Sequence, residues 1–112
     1  MSTLPDEALV VRGGVNEPDN FTNGRGIVAD AAGLLSGVSV QCAAGKTVWE
    51  LSRRLFNGQI GVATLGRIRE AGGEVDPDPS PGNPYHCLLR GVDADTASRL
   101  FTPTMPNPHK VR

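Results

Sequence analysis

The sequence predicts a small α+β domain, a mainly antiparallel twisted sheet of about 4–6 strands with two or three short helices packed on it. Three observations carry that expectation. Apolar runs of strand length recur along the chain, each stopped by glycine or proline. Two stretches carry helix-opening signatures. With 14 Gly and 9 Pro in 112 residues, much of the length goes to turns, so no element is long. A second core would need roughly another 50 residues, so 1–112 is expected to be one domain, with residues 1–7 loosely held and a proline-rich extended tail over 102–112.

Ala8-Leu9-Val10-Val11-Arg12 is a β-rich run stopped by Gly13-Gly14, a strand that delivers Arg12 to its C-terminal end. The segment from Val15 to Gly26 has loop chemistry, with one helical turn expected at Pro18. Gly24-x-Gly26 lacks the third glycine and the following helix of a phosphate loop. Gly26 to Asp30 and Gly37 to Cys42 read as two strands joined through Ala31 to Ser36, with Gly33 as the turn. In the second, Val38 and Val40 alternate with Ser39 and Gln41, which sets Ser39 on the face opposite the valines. Gly45-Lys46-Thr47 ends like a Walker loop, but Val40 stands where its first glycine is required. Thr47 and Glu50 instead form a capping box, opening a helix of about three turns through Asn57, with Val48, Leu51 and Leu55 on one face, broadened by Trp49 and Phe56.

Ala63-Thr64 is expected to start a second helix through Leu65, Ile68 and Ala71 to Gly72-Gly73. Gly73 to Asp76 reads as a short strand. Pro77, Pro79, Pro81 and Pro84 then forbid regular structure until a strand at Tyr85 to Arg90. Asp93 is an N-cap for a helix over Ala94 to Phe101. Phe101 and Met105 are expected to pin the tail to the body.

The formal charge of −1 provides no global field to gather nucleic acid, although Arg53, Arg54, Arg67, Arg69 and Lys46 cluster in sequence. Cys42 and Cys87 each lie in an apolar strand, where buried free thiols in a reducing cytosol are the default. No apolar run spans a membrane and the N-terminus lacks a secretory pattern. A cytoplasmic protein is expected, or one delivered by a non-classical secretion route, with no membrane partner.

Metal-ligand spacings are missing: there is no HxxxH, HExxH or paired CxxC. The Gly-x-Ser-x-Gly elbow of serine hydrolases is missing as well. What remains is a metal-free constellation of Arg12, Ser39, Tyr85 and His86, with Thr64, Arg69 and Arg90 as lesser candidates. A histidine exchanges protons at cell pH and an arginine holds a phosphate bidentately. On a strand, Tyr85 and His86 face opposite sides.

Arg12-Gly13-Gly14 at a strand end, then Phe21 to Gly26, then Gly37-Val38-Ser39-Val40, resembles the opening of the ADP-ribosyltransferase fold. The resemblance implies that Arg12, followed by Gly13, binds the phosphates or ribose of NAD, that Ser39 shapes the nicotinamide pocket, and that His86 lines the same cleft, as in small secreted toxins of this type. It implies catalytic roles for His86, Ser39 and Tyr85, NAD as substrate with no metal, a protein or nucleic-acid target, and a neutralising antitoxin or immunity protein. Two departures are plain. The family's usual glutamate has no counterpart on a late strand, since Glu70 and Glu74 fall at a helix end and a short strand, and the Ser-Thr-Ser run is absent.

Two rivals stand beside this reading. A metal-independent ribonuclease toxin of barnase-like or RelE-like type would use His86 with Arg90, Arg69 and Lys46. A non-enzymatic module, an antitoxin-like or immunity-like partner, would use Trp49, Phe101 and the tail as its contact surface. The transferase reading requires Arg12, Ser39 and His86 to lie within about 10 Å of one another, because catalytic groups must reach one substrate.

Overall fold

Strand β1 (Leu9–Gly13) lies at the centre of the sheet. In the computed structural model, which describes residues 3–110, it pairs antiparallel with β4 (Val38–Ala43) on one side and β5 (Gln59–Thr64) on the other. Beyond β4 come β7 (His86–Arg90) and then β6 (Glu74–Pro77), and beyond β5 comes β8 (Met105–Pro106). The order is therefore β6-β7-β4-β1-β5-β8. A separate ribbon pairs β2 (Val28–Ala29) with β3 (Leu35–Ser36). Helices α1 (Val48–Leu51), α2 (Leu65–Glu70) and α3 (Ala94–Leu100) and a 3-10 turn at Pro18–Phe21 complete an α+β domain of the expected class.

Strand alternation sends the two sides of the sheet to different cores. Val10, Val38, Val40, Cys42, Val75 and Leu89 point to the side covered by α2, α3 and the 3-10 turn, where Phe21 and Phe101 stack with ring centroids 6.2 Å apart. Val11 and Ile60 point the other way and meet Leu51 of α1 in a smaller cluster. Each fully buried Phe, Leu or Ile here contributes roughly 1.5–3 kcal/mol by leaving water, so the larger cluster dominates stability.

The capping expectations hold. Thr47 and Glu50 form the reciprocal box on α1, and the Asp93 side chain accepts from the Thr96 N–H at 2.8 Å. The helix expected through Asn57, however, ends after one turn. Ser52, fully buried, turns its hydroxyl back onto the Val48 carbonyl at 2.7 Å, and a serine that bonds its own backbone competes with helix continuation. Trp49 and Phe56 consequently broaden no core face, being 51% and 87% exposed.

Three further expectations are corrected. Gly26 to Asp30 does not pair with the Ser39 strand. Its residues Val28–Ala29 pair with Leu35–Ser36, and Gly37, at φ 75, then turns the chain into the main sheet. Ala63-Thr64 also ends an unexpected six-residue strand, while the second helix starts as expected, with Thr64 capping α2 by accepting the Arg67 N–H at 3.3 Å. Packing requires the glycine within that strand: a Cβ at Gly61 would collide with the Phe101 carbonyl and lie 2.7 Å from the Asn16 amide. In the tail, Met105 is 40% exposed, whereas Asn107 is fully buried and donates to the carbonyls of Leu55 and Asn57 at 3.1 and 3.0 Å. Asn107, with β8, anchors the tail. Of the N-terminal segment expected to be loose, Leu4 and Asp6 are bound by Arg69, and Met1 and Ser2 lie outside the described residues, as do Val111 and Arg112 of the tail. No helix among the described residues is long and apolar enough to cross a membrane.

Candidate functional site

The site forms where β1 and β4 part. Their pairing ends at Val11 opposite Gln41, while β1 stays with β5 as far as Gly13 opposite Ile60. Past that point the carbonyl of Ser39 has no strand partner on the β1 side, and Arg12 takes it. The guanidinium donates to the Ser39 carbonyl at 2.9 Å and to the Asn20 carbonyl at 3.1 Å, and lies 4.7 Å from the centre of the Phe21 ring. Arg12 thus bridges the strand split from the Phe21 side.

The Ser39 side chain emerges on the opposite side, together with Gln41. Because Gln41 lies opposite His86 and Ser39 opposite Leu88, the His86 ring leans over the serine. Its Nε2 is 3.1 Å from Ser39 Oγ. Its Nδ1 is 3.0 Å from the carbonyl of Asp78 and 3.1 Å from that residue's carboxylate. Both groups facing Nδ1 are acceptors, so in the neutral ring Nδ1 carries the proton and Nε2 accepts from the Ser39 hydroxyl. The result is a serine aligned with a base, and a base oriented by a carboxylate. The sequence argues against a serine hydrolase for want of an elbow motif but keeps Ser39 and His86 as candidates; strand register brings this pair together.

Arg12 and His86 therefore reach Ser39 from opposite faces of the sheet, Arg12 at its carbonyl and His86 at its hydroxyl. The Arg12 charge faces no carboxylate among the described residues, its Nε has no hydrogen-bond partner, and burial pushes its pKa down. A partly desolvated cation of this kind is stabilised by an anion. Gly13 lies beneath the Asn57 side chain, whose Cγ would be 2.8 Å from an added Cβ, so a side chain there would displace Asn57. Tyr85 departs from the expected alternation. It precedes the strand, in a turn, and packs with the Val11 and Leu51 cluster on the His86 side of the sheet.

The lesser candidates lie elsewhere or are committed. Thr64 caps α2 and sits opposite Leu9, at the far end of β1 from Arg12. Arg69 binds Asp6 at 2.6 Å and Glu74 at 3.2 Å. Arg90 binds Asp76 at 2.6 Å. Lys46 pairs with Glu50 at 3.5 Å and lies over the Tyr85 ring. Cys42 and Cys87 are free buried thiols; the hydrogen bond with Cys87 and then burial push Cys42 up.

Asp78 was missed by sequence reasoning. The β6–β7 register pairs Pro77 with Cys87, and one more step sets Asp78 opposite His86, whose carbonyl accepts the Asp78 N–H at 2.9 Å. A carboxylate between two prolines, shortly before a histidine strand, was the available signal. The sheet also builds a cleft of about 220 Å³ beside His86, floored by Gln41 and walled by Tyr85, Pro84 and the end of α1. Among the described residues, no group of three His, Cys, Asp or Glu side chains is placed to hold a metal ion. No family model matches the chain, and no curated protein or solved structure matches it.

Proposed function

We propose that this chain is a toxin-like NAD-dependent ADP-ribosyltransferase acting on a macromolecular target. The observation that supports the reading is that Ser39 is bound by both expected partners, its carbonyl by Arg12 at 2.9 Å from one face and its hydroxyl by His86 at 3.1 Å on the other. The residues fit an anionic dinucleotide. Arg12 keeps the second hydrogens of its two terminal nitrogens for phosphate oxygens, and Ser39 is exposed, with its hydroxyl held by His86.

In the reaction the bond between the nicotinamide nitrogen and ribose C1′ breaks with both electrons going to nicotinamide, which leaves neutral. The acceptor nucleophile forms the new bond to C1′, and His86 Nε2 takes its proton. Asp78, hydrogen-bonded to Nδ1, holds the ring's orientation and stabilises the imidazolium that forms. It supplies a carboxylate at the site in place of the family's strand glutamate, acting through histidine. A neutralising antitoxin or immunity protein accompanies this reading, because such chemistry in the producing cell requires a brake.

Labelled NAD incubated with the protein and cell lysate tests it. Label transferred to a macromolecule, and lost in Ser39→Ala and His86→Ala variants that still fold, is the expected result. Absence of both transfer and NAD turnover overturns the reading.

The Asp78–His86–Ser39 relay favours one second reading, attack by Ser39 itself on an acyl centre. An organofluorophosphonate would then label wild type at Ser39, and under the transferase reading it does not. The ribonuclease reading has less support, since Arg69, Arg90 and Lys46 are each engaged in ion pairs.

A further inference from the structure

Next to the Ser39–His86 pair the chain carries a basic aromatic surface that the proposed chemistry leaves unused. Arg53 and Arg54 follow α1 and are exposed, and neither forms a hydrogen bond or ion pair among the described residues. They rim the cleft floored by Gln41, and they also line an open groove of about 560 Å³ against Pro81, Gly82 and Asn83. Phe56 stands in that groove, 87% exposed, with the Lys110 ammonium 5.6 Å from its ring centre. Glu50, the acidic residue of the cleft, is already paired with Lys46. The Gln41 amide, 5% exposed, lines the cleft and has no hydrogen-bond partner among the described residues. Its amide atoms are open to the cleft, with their hydrogen-bonding capacity free for whatever enters.

We propose that this groove docks a short single-stranded nucleic acid, which is the acceptor presented to Ser39 and His86. Two unpaired arginines and Lys110 match a phosphate backbone. An aromatic ring left in water and flanked by cations is a stacking platform for a base. Gln41, with both a donor and an acceptor, suits the edge of an unpaired base. At about 220 Å³ the cleft is below the roughly 300–1,000 Å³ that enclose a whole small ligand. It therefore fits one unit of a chain that continues along the open groove. Continuity with the catalytic pair is direct: Gln41 lies opposite His86 in the sheet, and the loop lining the groove joins Asp78 to His86. An acidic peptide would answer the charges but leave Phe56 and Gln41 unmatched.

The proposal uses the transferase reading only for the fate of the bound strand. Fluorescence anisotropy with a labelled single-stranded RNA of about a dozen nucleotides, a length within the usual site size, measures the docking alone. Wild type is expected to bind, and to weaken about tenfold between about 50 and 200 mM salt, as for two or three phosphate contacts. Phe56→Ala is expected to lose about fivefold or more, and the double variant Arg53→Ala/Arg54→Ala about tenfold or more. Arg67→Ala, on α2 across the sheet, keeps wild-type binding. Failure of wild type to bind, equal weakening by Arg67→Ala, or displacement of the RNA by a poly-glutamate peptide as readily as by unlabelled RNA overturns the proposal. A protein that turns over NAD without binding RNA loses this inference alone, and one that binds RNA without NAD turnover loses the transferase reading alone.

Discussion

Asp78 holds the His86 ring through two different atoms, its main-chain carbonyl at 3.0 Å and its carboxylate at 3.1 Å from Nδ1. The backbone contact survives any side-chain change. Asp78→Ala should therefore keep the tautomer that leaves Nε2 free to accept from Ser39, and lose only the charge. NAD turnover, measured as kcat/KM, is expected to fall about tenfold, against about 10²–10⁴-fold for His86→Ala, the range for removing a general base. Equal losses in the two variants would show that the carbonyl does not hold the ring.

Arg12 serves the fold as well as the proposed chemistry. Arg12→Lys retains the charge but cannot span the Ser39 and Asn20 carbonyls, because an ammonium lacks the planar fork. A hydrogen bond between such exposed groups contributes about 0.5–1.5 kcal/mol net, so the urea midpoint should fall modestly. An unchanged midpoint would mean the two bonds add nothing to stability.

Thr64→Ala separates scaffold from site. The Thr64 hydroxyl caps α2 at the end of β1 away from Arg12, so about 1 kcal/mol of stability is expected to be lost, as for other N-caps. Turnover per folded molecule should stay at the wild-type level.

The buried amide of Asn107 holds the chain after α1 to the tail. Asn107→Ala leaves the Leu55 and Asn57 carbonyls without that donor and should cost about 1–3 kcal/mol. Hydrogen exchange would locate the loosening at residues 55–59 and in β8. Protection unchanged there would place the tail's anchor elsewhere.

The Asp93 carboxyl is held below its usual range by the backbone N–H and then the side chain of Thr96, and the Glu50 carboxyl by its bond from the Thr47 backbone. A depressed folded-state pKa contributes stability that is present above the unfolded value of about 4 and is lost as pH falls through the folded one. Acid unfolding should therefore steepen below about pH 4. Asp93→Asn keeps a good cap without the titration, so it should match wild type at neutral pH and lose less in acid. An unaltered acid limb would contradict the assignment to Asp93.

The sequence by itself determined the α+β class and the elements whose signals are local. Thr47 and Asp93 each mark a helix start because a short oxygen-bearing side chain meets the free N–H groups of the first turn. Alternation separated Ser39 from Val38 and Val40, and the glycines after Arg12 ended its strand. Local signals failed wherever a distant residue decided the outcome. Gly61 sits inside β5 because Phe101 and Asn16 fill the space a side chain would need. Ser52 ended a helix whose apolar spacing continued. Only the tertiary structure decided the site, because bonds from Ser39 to residues 27 and 47 positions away depend on strand order and register. A one-residue slip of β7 would send His86 to the opposite face. The residues that could do chemistry were therefore legible in the chain, and their meeting at Ser39 was settled by how β1, β4 and β7 align.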